Sequence, residues 1–120
     1  MGYKTMYLNM SKFIDQITLA KADGSYLRLL GRLEKTNLII FDDFGLQPLT
    51  AETRLALLTI LEDRYARSAL IMSSQLPVSA WYEYIDDATL ADAILDRITA
   101  NSIRVELKGN SQRQQTKNMH

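Results

Sequence analysis

The stretch that most constrains this chain is Asn37 to Gly45, which reads Asn-Leu-Ile-Ile-Phe-Asp-Asp-Phe-Gly. Four consecutive apolar residues, Leu38 to Phe41, predict a strand buried on both faces, the pattern of a parallel sheet. The chain turns acidic at Asp42 and Asp43, where that strand should end. Two adjacent carboxylates there suit a divalent cation such as Mg²⁺, which takes few protein ligands. They equally suit an ordinary acidic loop after a core strand, so the surrounding residues must decide.

Length and composition narrow the field. At 120 residues, 47% hydrophobic and 23% charged, the chain suits one globular α/β domain of small size. Fourteen basic and fourteen acidic residues cancel, so no global field points to nucleic acid or an anionic membrane. Cysteine is absent, which excludes thiolate chemistry, and the single histidine is the terminal His120, which excludes a histidine-based metal site or triad. No apolar run approaches the roughly 20 residues of a membrane helix, and no signal core follows the N-terminus. The expectation is a soluble, cytoplasmic protein.

Read in order, Thr5 to Leu8 predict a short strand. Met10, Phe13, Ile14 and Ile17 then recur at helical spacing up to Asp23-Gly24. Tyr26, Leu29, Leu30 and Leu33 give a second helix one apolar face. Beyond the central strand, Thr50 is a plausible N-cap for a helix turning Leu57, Leu58, Leu61 and Tyr65 inward, with Asp63 and Arg67 as a surface pair near its end. Ala69 to Met72 form the next apolar run, ending in Ser73-Ser74-Gln75. Polar residues that end two successive buried strands would face one site in an open α/β sheet, although turn formation ahead of Pro77 also accounts for them. Pro77 opens a short helix with Trp81 and Tyr84. Thr89 to Asp92 resemble a capping box for a helix through about Ile98. Arg97 near its end can complement the helix dipole or serve catalysis. Ile103, Val105 and Leu107 alternate with charged residues as a half-exposed strand. Domain limits of 1–109, with a flexible tail over 110–120, follow.

Several blocks then share one resemblance. Asp-Asp-Phe-Gly-Leu-Gln-Pro-Leu-Thr, Glu-Asp-Arg-Tyr, Ser-Gln-Leu-Pro-Val-Ser-Ala-Trp-Tyr-Glu and Leu-Ala-Asp-Ala-Ile-Leu-Asp-Arg are similar to the phrases of the IstB-like transposition helper ATPases. These belong to the AAA+ class and are related to DnaC-type helicase loaders, and the resemblance covers nearly all of residues 2 to 109. It implies a three-layer, parallel-sheet P-loop NTPase core, with ATP and Mg²⁺ as cofactors and with DNA, a transposase and a self-oligomer as partners. By the same resemblance Asp42 is the Mg²⁺-associated Walker B acid. Asp43 stands where a water-activating glutamate is usual, one methylene shorter. Ser74 and Gln75 fall in the sensor 1 region, and Arg97 matches an arginine finger offered to a neighbouring subunit. Lys108, Arg113 and Lys117 are the candidate DNA phosphate contacts, or simply a solvated tail.

One piece of the pattern is missing. No Gly-x-x-x-x-Gly-Lys-Ser/Thr run occurs in the sequence, so the loop whose amides would cradle phosphates is not among these residues. The expectation is a core truncated at its N-terminus, without its first strand, P-loop and first helix, unable on its own to hold ATP tightly or hydrolyse it. An edge exposed at Leu70 to Met72 should then be filled by the last strand or by a second chain. A DnaC-type loader fragment and a non-catalytic α/β interaction domain are the alternatives. The latter, in response-regulator form, would need a lysine at a later strand end, where this chain has Leu76-Pro77.

Overall fold

The computed structural model describes residues 2–65, 67–101 and 103–106, with side chains through residue 99. Strand β1 (Thr5–Asn9) runs into α1 (Met10–Asp23) and α2 (Tyr26–Glu34). Strand β2 (Leu38–Asp42) leads to α3 (Ala51–Arg64), and β3 (Ala69–Ser74) to a 3₁₀ turn (Val78–Ala80), α4 (Trp81–Ile85) and α5 (Ala88–Asn101). Strand β4 (Ile103–Glu106) is the last described element. The four strands form one parallel sheet in the order β1-β2-β3-β4. This is the parallel α/β architecture that the alternating strand and helix patterns predict. Lys108, Arg113 and Lys117, together with the expected tail over 110–120, lie outside the described residues.

Local signals explain most boundaries. The Asn9 side chain caps α1 by accepting the Lys12 N–H at 3.2 Å. At the other end Gly24, with φ of 81°, donates its N–H to the Ala20 carbonyl, a left-handed stop that glycine adopts without a Cβ penalty. Thr50 caps α3 as predicted, its Oγ1 accepting the Thr53 N–H at 3.1 Å. Helix α5 starts earlier than the Thr89 reading has it: Asp87 accepts the Leu90 N–H at 3.0 Å and Ala88 is already helical. An aspartate three residues before an open N–H caps as well as a threonine, so the sequence offered two start points.

The core lies between the sheet and its helices. Phe13, Ile17, Leu33, Ile39, Phe41, Leu57, Leu70, Met72, Trp81, Ile94 and Ile98 are all essentially inaccessible, and Phe13 meets Phe41 edge-on at 5.1 Å. Each connection advances one strand in the same direction. Right-handed crossovers therefore lay α1 with α2, α3, and α4 with α5 on one face of the sheet. The sequence reading has β2 buried on both faces; among the described residues the helices cover one face, enclosing Ile39 and Phe41, while Leu38 and Ile40 on the other are half-buried.

Two further expectations change. Tyr65, read as inward, is 51% exposed, whereas Arg64 beside it is 2% exposed. Helix α3 ends at Arg64, so Arg67 falls beyond it and sits 3.8 Å from Glu34 rather than forming a helical pair with Asp63. The edge expected at Leu70 to Met72 is taken by β4, which aligns Ile103 with Ile71 and Arg104 with Met72. Of the two outcomes expected for that edge, the shift of the last strand is the one found.

Candidate functional site

The carboxyl ends of β1, β2 and β3 gather the polar residues. Asp42 closes β2 and is exposed. Asp43 follows in the left-handed region at φ of 62°, a turn that aspartate tolerates better than most residues. The Asp43 N–H donates to the Asp42 Oδ1 at 3.0 Å, so the first carboxylate braces the turn that aims the second. Asp43 is held in turn by Asn9, whose Nδ2 donates to its Oδ2 at 2.9 Å. Asn9 is the register partner of Asp42 across β1 and β2. One asparagine thus caps α1 with its oxygen and fixes the second acid with its nitrogen. Sequence reading missed it, because 34 residues separate Asn9 from Asp43.

The loop after Asp43 is pinned to the end of β3. The Phe44 N–H donates to the Ser73 carbonyl at 3.0 Å. Ser74, 1% exposed, donates its hydroxyl to the Phe44 carbonyl and accepts the Leu76 N–H at 2.9 Å. Gly45 has φ of 102°, and a Cβ there would stand 2.9 Å from the Leu76 Cβ, so the two loops approach as closely as a bare backbone allows. Below them Phe44 meets Trp81 and Tyr84 edge-on, each at 4.9 Å. Trp81 Nε1 donates to the Leu76 carbonyl at 2.9 Å and the Tyr84 hydroxyl to the Gln47 carbonyl. Burial raises the Tyr84 pKa above its ordinary value, against a smaller opposing contribution from the Gly45 backbone.

A cavity of about 210 Å³ opens between the loops, lined by Asp43, Phe44, Gly45, Leu46, Gln75 and Leu76. Asp43 and Gln75 therefore share one surface, with Asp42 adjacent in the chain. Ser74 does not reach it, since its hydroxyl is turned inward and bonded on both sides. Among the described residues no cluster of three or more His, Cys, Asp or Glu is arranged to hold a metal. An exposed Asp42 beside a half-buried Asp43 fits a Mg²⁺ ion that keeps most of its waters and is held chiefly by phosphate oxygens, and fits poorly an ion caged by protein alone.

Arg97 lies elsewhere. It is nine residues into α5 from Ala88, or about 13 Å along the helix from the end on the acidic side of the sheet. Its Nη2 donates to Glu62 at 3.1 Å and its Nη1 to the Ala93 carbonyl at 3.1 Å. An open groove of about 710 Å³ runs past it, lined also by Glu62, Tyr65, Asp96 and Thr99. Arg97 is thus partly buried, paired with Glu62 and set apart from Asp42 and Asp43.

Comparison with known proteins adds four findings. The family model described as IstB-like ATP binding protein matches residues 1–120. A protein of Sinorhizobium fredii described as an insertion sequence ATP-binding protein is 48% identical over 108 residues, which span 90% of this chain and 44% of that protein. A counterpart in Geobacillus stearothermophilus is 30% identical, over 98% of this chain and 47% of its own length. The chain thus spans less than half the length of these relatives. Among solved structures, a DNA replication initiation factor superposes with a TM-score of 0.67 at 15% identity, covering 98% of this chain and 36% of that one. At that identity the likeness concerns the fold alone. Among the described residues no helix is long and apolar enough to cross a membrane.

Proposed function

Because the chain belongs to the IstB-like ATP-binding protein family, we propose that its Asp42–Asp43 strand end is the acidic half of a Mg-nucleotide site in a protein that assists movement of an insertion sequence. The observation that carries this reading is the placement of two accessible carboxylates at the end of β2, the second fixed by Asn9 and sharing a cavity with Gln75. Ligands of open α/β sheets bind outside the carboxyl ends of the strands, which is where these groups stand.

Each residue has a part in that reading. Asp42, which is exposed, would hold a hydrated Mg²⁺, and that ion would supply charge neutralisation at the phosphates. Asp43 directs the attacking water and accepts its proton, with Asn9 holding the carboxylate at a fixed angle. Gln75 hydrogen-bonds across the cavity to the phosphate end. Ser74 acts by anchoring Phe44, and so the turn that carries Asp43. Arg97 reaches the nucleotide of a neighbouring copy, where its charge stabilises the transition state. Lys108, Arg113 and Lys117 contact DNA phosphates, and the transposase engages the assembled, nucleotide-bound form. The helicase-loader reading has only the fold in its favour.

These residues include no glycine-rich phosphate cradle, so phosphate binding falls to a segment beyond them. The expected result for the chain alone is no MgATP binding in the micromolar range by isothermal titration. Micromolar binding that disappears in Asp42→Asn would show that the acidic half suffices, and would overturn this division of labour.

A further inference from the structure

Arg97 is tied down at both ends of its guanidinium. Its Nη2 donates to the Glu62 carboxylate of α3 at 3.1 Å, and its Nη1 to the Ala93 carbonyl, one turn back on its own helix. The terminal nitrogens therefore face their own chain. The groove around them suits a phosphate poorly. Among the described residues its lining carries two carboxylates, Glu62 and Asp96, against one guanidinium, so a polyphosphate is repelled from it. Arg97 meets such a group only after its guanidinium has left Glu62.

We propose that Glu62 is a positioning residue that latches Arg97 in a retracted conformer until the triphosphate of a neighbouring copy draws it out, an inference that rests on Arg97 serving that nucleotide. The strength of the contact suits a latch. The Arg97 and Glu62 side chains are 32% and 51% exposed, and an ion pair so wetted is weak and screened by salt. It biases a long side chain among its rotamers, yet it yields to a phosphate, whose charge-assisted, bidentate bonds to arginine are stronger. A pair of this kind lowers the released fraction of arginine by about two- to fivefold. A brace for the working position would point the guanidinium away from its own helix, whereas the Ala93 contact folds it back.

Two measurements test the latch. On the chain itself, nuclear magnetic resonance of the arginine guanidinium groups reads it without turnover, with sodium tripolyphosphate as the probe. The Arg97 signal should respond at a concentration about two- to fivefold lower in Glu62→Gln than in wild type. Asp63→Asn should respond as wild type does, because Asp63 carries the same charge one residue on without an ion pair to Arg97 among the described residues. An Arg97 signal that responds alike in wild type and Glu62→Gln would sink the proposal.

The second measurement is the steady-state ATPase rate, followed against protein concentration, of the chain joined behind the amino-terminal part of the Sinorhizobium fredii relative. Arg97→Ala should lower turnover by about a hundredfold or more. Glu62→Gln should reach its half-maximal rate at a protein concentration about two- to fivefold lower than wild type, with the plateau within about 1.5-fold. A Glu62→Gln curve that coincides with wild type, or a plateau that drops, would defeat the latch while Arg97→Ala still abolished turnover. Full turnover in Arg97→Ala would instead remove the role given to Arg97 itself, and the latch with it.

Discussion

Arg64→Ala is expected to lower the unfolding free energy by about 3–5 kcal/mol, since several buried carbonyls lose their donor at about 1–3 kcal/mol each and water recovers only part. The side chain enters the protein at the end of α3. Its Nη1 donates to the carbonyls of Leu33 at 3.0 Å and Thr36 at 2.7 Å, and its Nη2 to those of Asn37 at 2.8 Å and Ala69 at 2.6 Å. These carbonyls belong to the end of α2, the approach to β2 and the start of β3. One guanidinium therefore gathers three elements at the edge where the sheet begins. Burial pushes its pKa below the ordinary arginine value, yet arginine stays charged across the working range. Alanine would leave the carbonyls without their donor, each costing about 1–3 kcal/mol unless water reaches it. Lysine should recover only part of the loss, since an ammonium has three donors and no planar fork. Urea unfolding of wild type, Arg64→Ala and Arg64→Lys decides the matter, and a loss below about 1 kcal/mol for alanine would refute the clamp.

The second large effect concerns the support of the site. Trp81→Ala should cost about 3–5 kcal/mol, the usual range for emptying a fully buried aromatic position. Trp81 is inaccessible, meets Phe44 at 4.9 Å and donates to the Leu76 carbonyl at 2.9 Å. It therefore braces both loops that carry the polar groups, the one after Asp43 and the one holding Gln75. Trp81→Phe keeps most of the volume and loses the N–H, so about 1–2 kcal/mol is expected. Hydrogen exchange separates local from global loss. The Phe44 amide, bonded to the Ser73 carbonyl, should lose protection in Trp81→Phe before the amides of β2 do. Equal loss everywhere would mean that the tryptophan serves the core alone.

Much of this was legible in the sequence, for a physical reason. Apolar residues at helical spacing marked α1, α2 and α3 because each helix has one face on the sheet, and the caps at Thr50 and Gly24 are local events. The acids at the end of β2 were visible because charge interrupts an apolar run abruptly. Long-range and one-sided features were not. Arg64 stood in a charged stretch, Glu62 to Arg67, that reads as solvated, and only the fold brings four carbonyls around it. Asn9 drew no reading from the sequence: its cap on α1 is local, but nothing local points to Asp43. Ser74 ended a strand beside Gln75, yet the pleat turns one inward and leaves the other exposed. The run Leu38 to Phe41 reads as doubly buried, and composition cannot report which face the described helices cover.

The central claim is that Asp42 and Asp43 work on a Mg-nucleotide whose phosphates another segment holds. It is tested most directly by the steady-state ATPase rate of this chain joined behind the amino-terminal part of the Sinorhizobium fredii relative, measured with the two acids intact and singly replaced. Turnover that falls by about a hundredfold or more in both Asp42→Asn and Asp43→Asn is the result expected for groups that act on the reacting phosphate and water. An active chimera whose rate stays within about twofold in both variants would contradict it.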